Sequence, residues 1–482
     1  MGGLDKRAPF TATGGIIPPE FQNIKTPCYI LDEKALIKNA KLLGEVPERT
    51  GCKMLLAQKA FSNYDCYRFF EPYLAGTEAS GLFEARLGAE EMPGKEVHVF
   101  CAGYRADEFE ELLQYADHIV FNSPSQLLRF GAKAKVAGKS VGLRINPECS
   151  TQEGHDIYDP CAPGSRMGTT RAQWDEAFQK NPELLDLLDG LHFHTLCEQD
   201  SDDLETTLVS VKKHFGDLAS RVKWINFGGG HHITRPGYDI ERLERCIRMV
   251  QEEWKAEVYL EPGEAWALNA GFLLTSVLDV LKNGDTQIAI VDASAACHMP
   301  DVLEMPYLPP LLGTDETEDG GITVRLGGPT CLSGDVIGEY KFRQLPEYGD
   351  LLMFGDMAIY TTCHCRISGS DVVTILCSSL QSLVIWILRK DLEVVNNGFL
   401  FLCREHIIGL NMLKRNMCGI KRNMSTSPHR AYGRQPVLVS LSKLSYKKSE
   451  GTDNEKGDFN NCRNASDCIT GQRRNHSACT GR

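Results

Sequence analysis

A chain of 482 residues with 42% hydrophobic content can bury a large core and form more than one domain. Its net charge of −12 is unevenly spread: residues 1–364 hold 55 acidic and 34 basic residues, and residues 365–482 hold 9 and 18. The acidic body disfavours nucleic acid as a partner and suits a cationic small molecule. No apolar h-region opens the chain, and Ser378, Ser379, Gln381 and Ser382 interrupt the apolar run Val372–Leu388, so neither a signal peptide nor a membrane span is expected. Of 18 cysteines, 11 fall in residues 1–364 without paired metal spacing, which reads as reduced, cytoplasmic thiols.

In chain order, residues 1–24 form an irregular arm rich in Gly and Pro, and Thr26–Asp32 reads as a strand. An amphipathic helix follows from Glu33, with Ala35, Leu36, Ile37, Leu42 and Leu43 inward. Eight strand-length apolar runs come next, ending at Lys59, Ser80, Gly103, Ser123, Pro147, Thr195, Gly230 and Gly263. Most are separated by enough chain for a crossover helix. This α/β pattern predicts a (β/α)8 TIM-type barrel whose reactive groups gather at the C-terminal mouth. Beyond it, Phe272–Val280, Thr286–Asp292, Gly321–Leu326 and Asp350–Tyr360 read as strands of an appended β-rich domain. The expected division is an arm and strand over 1–40 contributing to the β-domain, the barrel over 41–266, the β-domain over 267–363, and a disordered or poorly folded tail over 364–482.

The strand ends carry the chemistry. Lys59 ends an otherwise apolar strand, where a lysine serves either as an amine nucleophile or as a snorkelling surface cation. Gly228, Gly229 and Gly230 follow the seventh strand, where barrels favour phosphate sites, although a tight turn would also need glycine. Glu261 can hold a heterocyclic nitrogen protonated or serve as an ion-pair partner. His192 and His194 share a strand face, which admits a metal site or a stacked imidazole; no clear further ligands stand nearby apart from His231 and His232, so no metal is expected. Cys331 lies in a Gly/Pro-rich loop four residues before Asp335, as a buried thiol or an exposed functional one.

The segments LLAQKAFS, FHTLCEQ, NFGGGHHITRPGYD, LEPGEA, VDASAACHMPDVLE, GGPTCLSGD and GDMAIYTT, in this order over roughly residues 25–363, resemble the alanine-racemase-fold decarboxylases that use pyridoxal phosphate. Within that family the chain looks most like the polyamine branch, which decarboxylates carboxynorspermidine and carboxyspermidine. The resemblance implies that Lys59 bonds the cofactor aldehyde, His194 stacks on the pyridine, Glu261 keeps the ring nitrogen protonated, and Arg144 lies nearby. It implies Gly228, Gly229, Gly230 and Tyr360 as phosphate ligands, and Asp292, His298, Asp301 and Asp335 as groups meeting a polyamine-carboxylate substrate. Cys331, the implied proton donor, and Asp335 would enter from the partner subunit of a homodimer. Glu264 stands where some members carry an arginine after Glu-Pro-Gly. The segment HCRISGSDVVTILCSS after Tyr360 departs from the family's ending, as in an alternative C-terminus. The competing expectations are a diaminopimelate decarboxylase and a catalytically impaired, partner-binding homologue.

Overall fold

In the computed structural model, which describes residues 17, 21–152, 159–312, 321–364, 374–379 and 382–386, the eight strand ends surround one closed barrel. After β1 (Cys28–Asp32), the staves are β2 (Lys53–Ala57), β3 (Gly76–Ala79), β4 (Glu96–Phe100) and β5 (His118–Phe121). They continue as β6 (Ser140–Arg144), β7 (Gly190–His192), β8 (Trp224–Asn226) and β9 (Glu257–Leu260). Neighbours run parallel, and pairing of Lys53 with Tyr259 and Met54 with Leu260 closes β9 onto β2. Burial on both faces explains why the staves read as apolar runs rather than alternating ones.

Inside the barrel, Leu55, Val120, Trp224 and Tyr259 form a core of their own. The Trp224 indole occupies space that side chains from two other staves would otherwise fill. A Cβ at Gly190 would lie 2.0 Å from the indole, and one at Gly142 would lie 2.4 Å from it. Trp224 Nε1 donates to Ser140 Oγ at 2.8 Å, so the buried N–H is satisfied. Outside, the helix Glu33–Thr50 begins on Asp32, whose carboxylate accepts from the backbone of Lys34 and Ala35, and ends at Gly51 with φ of 71°.

The second sheet is built on the long strand β10 (Gly271–Asn283). It pairs with β1, with β11 (Thr286–Val291) and with β15 (Leu351–Gly355). β12 (Leu311–Leu312) joins β15; β13 (Ile322–Gly327) runs parallel to β11 and antiparallel to β14 (Val336–Phe342). β14 has no counterpart among the strands expected from sequence. The run expected over Asp350–Tyr360 stops at Gly355, because Asp356 turns with φ of 55° and Tyr360 with φ of 46°. The Asp356 carboxylate fixes that exit by accepting from Asn269 N–H at 2.9 Å.

Most of the expected N-terminal arm and C-terminal tail lies outside the described residues. Where described, the tail holds β16 (Thr374–Ser379), parallel to β1, and β17 (Ser382–Trp386), antiparallel to β16. The apolar run Val372–Leu388 thus contains two sheet strands. Among the described residues no helix is long and apolar enough to cross a membrane.

Candidate active site at the barrel mouth

Lys59 stands two residues past β2 in a turn closed by Ala60 N–H on Ala57 O at 3.1 Å. Its Nζ lies 3.3 Å from Oε2 of Glu78, a fully buried residue of β3. Burial pushes the Glu78 carboxyl up, Lys59 pulls it partly back, and Glu261 pushes it up again. Glu78 was not among the sequence candidates. Its only signal is a charged residue inside a four-residue stave, Gly-Thr-Glu-Ala, where the barrel interior admits none without a partner.

Glu261 follows β9. Its N–H donates to Gly228 O at 2.8 Å. Asn226 Nδ2 donates to one carboxylate oxygen at 2.7 Å, and His192 Nε2 lies 3.1 Å from the other. Burial alone would raise this carboxyl, but His192 and Lys59 outweigh it and hold Glu261 ionised, below its ordinary range. Beside it, His194 is pushed well below the usual imidazole range by burial, reinforced by Lys59 and Arg144, and is neutral near pH 7. Its Nδ1 faces Gly229 N–H at 3.4 Å.

Arg144 ends β6. Its Nη2 donates to His194 O at 3.0 Å, and its guanidinium lies 4.6 Å from the Phe100 ring centroid. Burial lowers the guanidinium to about 10, which leaves it charged at neutral pH. Phe100 in turn stacks on His192, with centroids 5.5 Å apart.

The triple glycine is shaped by close approach. A Cβ on Gly228 would lie 2.5 Å from Phe193 O, one on Gly229 2.7 Å from Glu261 O, and one on Gly230 2.1 Å from Leu196 O. Gly228 and Gly230 also hold φ of 72° and 81°. Gly228 N–H is taken up by Asn226 Oδ1 at 2.8 Å, so an anion at this turn would meet the later amides of the loop.

Tyr360 belongs to the β-domain yet joins this mouth. Its N–H donates to Ala60 O at 2.7 Å, next to Lys59. Two more bonds fasten the same segment to the same turn: Asn63 Nδ2 donates to Thr362 Oγ1 at 2.9 Å, and Ser62 N–H to Cys363 Sγ at 3.2 Å. Burial raises the Tyr360 phenol well above its usual value, and the charges of Glu264, Glu198 and Asp301 add to this. Glu264 itself lies 3.1 Å from His232 Nε2, with both side chains buried.

Lys59, Arg144, His194, the glycine turn, Glu261 and Tyr360 thus share one mouth. The remaining candidates lie in the β-domain. The Asp292 carboxylate accepts from Ser276 N–H at 3.0 Å, from Ser276 Oγ at 2.9 Å and from the Thr275 hydroxyl. Asp335 accepts from Ser294 Oγ at 2.9 Å, Ala295 N–H at 2.8 Å and Thr330 Oγ1 at 2.6 Å. His298 Nδ1 accepts from Ser294 N–H at 3.0 Å, and Asp301 opens the short helix Asp301–Glu304. Cys331 is exposed. The ligand atoms of His192, His194 and Glu261 lie within 4.8 Å of one another, with His192 Nε2 and Asn226 Nδ2 on the two Glu261 oxygens and His194 Nδ1 facing Gly229 N–H.

Over residues 28–358 the chain matches the family model described as pyridoxal-dependent decarboxylase, C-terminal sheet domain. It is 40% identical over 352 residues to a carboxynorspermidine/carboxyspermidine decarboxylase of Campylobacter jejuni, covering 71% of this chain and 89% of that protein. It is 38% identical over 344 residues to a carboxyaminopropylagmatine decarboxylase of Synechocystis, covering 71% and 87%. The crystal structure of Campylobacter jejuni carboxynorspermidine decarboxylase complexed with norspermidine is similar with a TM-score of 0.67 and 36% identity, over 76% of this chain and 97% of that one. A diaminopimelate decarboxylase of Helicobacter pylori, 20% identical, shares the fold with a TM-score of 0.64.

Proposed function

The chain belongs to the pyridoxal-dependent decarboxylases and is a carboxy-lyase that uses pyridoxal phosphate, and we propose that it converts carboxynorspermidine or carboxyspermidine to the triamine and CO2. The observation that carries this reading is the Glu261 carboxylate, buried and held ionised by His192 and Asn226 on the same mouth as Lys59.

The residues fit the cofactor by donor chemistry. Lys59 offers a primary amine, Glu261 an ionised carboxylate able to serve as counter-charge to a pyridinium nitrogen, and His194 a neutral imidazole with a flat face. The glycine turn comes so close to Glu261 and His194 that a single Cβ on Gly229 would collide with both. Bound there, the cofactor supplies a pyridinium ring able to accept the electron pair left by departing CO2.

The chain's own residues do the rest. Lys59 Nζ is the amine that would hold the cofactor through its aldehyde. Glu78, 3.3 Å away, is placed to exchange a proton with Nζ and to keep the amine oriented. Glu261 would keep the ring nitrogen protonated, and His192 with Asn226 fixes its carboxylate plane. His194, held by the Gly229 amide and by Arg144 on its carbonyl, would cover one face of the ring. The loop amides after Gly228, with Tyr360, would hold the phosphate.

We assign the substrate's distal ammonium groups to the acidic residues of the β-domain. Asp301 is favoured, because it opens the short helix Asp301–Glu304 and lies near enough for its charge to reach Tyr360, which is fastened to Ala60 O beside Lys59. Asp292, Asp335 and His298 join it, positioned by their bonds to Thr275, Ser276, Ser294 and Ala295. Cys331, exposed beside the exposed Leu332, is the proton donor delivered to the partner's mouth in a homodimer. The described cysteines are all free thiols, consistent with a cytoplasmic enzyme.

The test is CO2 release by the purified protein from carboxynorspermidine, carboxyspermidine and meso-diaminopimelate. Release from either of the first two supports the reading. Turnover of diaminopimelate alone overturns it.

A further inference from the structure

The floor of the barrel, at the opposite end from the mouth, carries a second cluster of coordinating groups. Glu96 and His98 are two residues apart on β4 and face the barrel interior together. His118 on β5 is the register partner of His98. Glu96 Oε2 lies 3.0 Å from His98 Nε2 and 3.9 Å from His118 Nε2, and the three ligand atoms fall within 4.8 Å of one another. From this geometry we propose that Glu96, His98 and His118 bind a divalent transition-metal ion of the zinc class, which staples β4 to β5 beneath the interior core.

The chemistry selects the ion. Two imidazoles and one carboxylate suit zinc, cobalt or nickel, whereas magnesium and calcium prefer all-oxygen shells. Ligand atoms about 2.0–2.1 Å from a tetrahedral zinc stand about 3.4 Å apart. The two observed separations bracket that value. The rings are stacked with centroids 3.9 Å apart and planes 8° apart, so both Nε2 atoms reach one ion only if the stack opens. His118, whose side chain is 14% exposed against 1% for His98, is the ring that would have to tilt.

The surroundings complete the case. Lys53 Nζ lies 2.6 Å from Glu96 Oε1, which orients the carboxylate and leaves Oε2 toward the histidines. Lys53 also lies 3.1 Å from Glu257 and is bonded to Tyr259 Oη at 2.9 Å. Two carboxylates therefore share one lysine. Asp189, whose charge also reaches His118, is already paired with Lys135 and Lys223. Both His98 and His118 bury an Nδ1 with no hydrogen-bond partner, and both rings pack against Trp224 and Tyr259.

The experiment uses the full-length holoenzyme, stripped with chelator and titrated with Co2+ and then Zn2+. One equivalent of Co2+ is expected to give the d–d absorption of a low-coordinate N/O site, without a thiolate charge-transfer band. Excess zinc is expected to raise Tm by several degrees. His118→Gln and the milder, more exposed Glu96→Gln should each reduce the Co2+ absorption at least tenfold while cofactor absorbance and CO2 release persist. Absorption no greater than that of free aqueous Co2+, a thiolate band, or unchanged absorption in either folded variant would overturn the proposal.

Discussion

Gly229→Ala isolates the close approach that builds the mouth. Gly229 does not hold a positive φ, so alanine meets no backbone penalty there, unlike Gly228 and Gly230. The added Cβ would stand 2.7 Å from Glu261 O and 3.2 Å from His194 Cε1. Ordinary contact begins near 3.4 Å, so about 0.7 Å must be relieved against a backbone carbonyl, at a cost of about 1–3 kcal/mol. That corresponds to a Tm loss of about 2–6 °C by circular dichroism. Because the displaced groups are Glu261 and His194, cofactor affinity should fall by more than stability alone explains, by about tenfold or greater in an absorbance titration. An alanine variant with unchanged cofactor Kd and kcat would refute the argument that the triple glycine is there for proximity rather than for turn geometry.

Lys59→Ala should abolish CO2 release together with the visible absorbance of bound cofactor, whereas Glu261→Gln should keep the absorbance and lower kcat by about 10²–10³; full activity in the glutamine variant would disprove the charge-holding role. Mixing inactive Lys59→Ala and Cys331→Ala proteins should restore about a quarter of parental activity if sites are shared between subunits, since half the dimers are hybrids with one intact site. No recovery after subunit exchange would argue against shared sites. Asp189 accepts from Val141 N–H at 3.0 Å and pairs with Lys135 at 2.6 Å and Lys223 at 2.9 Å, which together, against the cost of burial, hold its carboxyl below the usual range. A depressed carboxyl contributes stability above its unfolded pKa of about 3.9 and loses it as pH falls through the folded value. Asp189→Asn should therefore cost about 1–2 kcal/mol at pH 7, with Lys223 screened by solvent, and the gap from parent should close in acid melts below pH 4. A gap that persists at low pH would show that charge is not the cause.

The barrel was legible because each stave is an apolar run that stops at residues unsuited to a core, and Lys59, Glu261 and the glycines occupy those stops. Glu78 was hidden because it lies within a stave rather than after one. β14 was missed because a loop rich in Gly and Pro precedes it and its pairing partner, β13, is set by the sheet and not by local pattern. Asp356 and Tyr360 end the last expected strand with left-handed backbone that non-glycine residues do not advertise. Asp292 and Asp335 stand in motifs that suggest substrate contact, yet their oxygens meet hydroxyls and amides supplied by Thr275, Ser276, Ser294 and Thr330, neighbours created by the fold. The floor cluster followed the same rule: Glu96, His98 and His118 are unremarkable in order and meet only through strand register.

The three bonds from Tyr360, Thr362 and Cys363 to the turn after Lys59 mean that the barrel is not a portable catalytic cartridge. Excised at residue 266, it would keep every stave but lose the clasp on the very turn that presents the amine. Grafting this chemistry elsewhere would have to carry the clasp along with the cup.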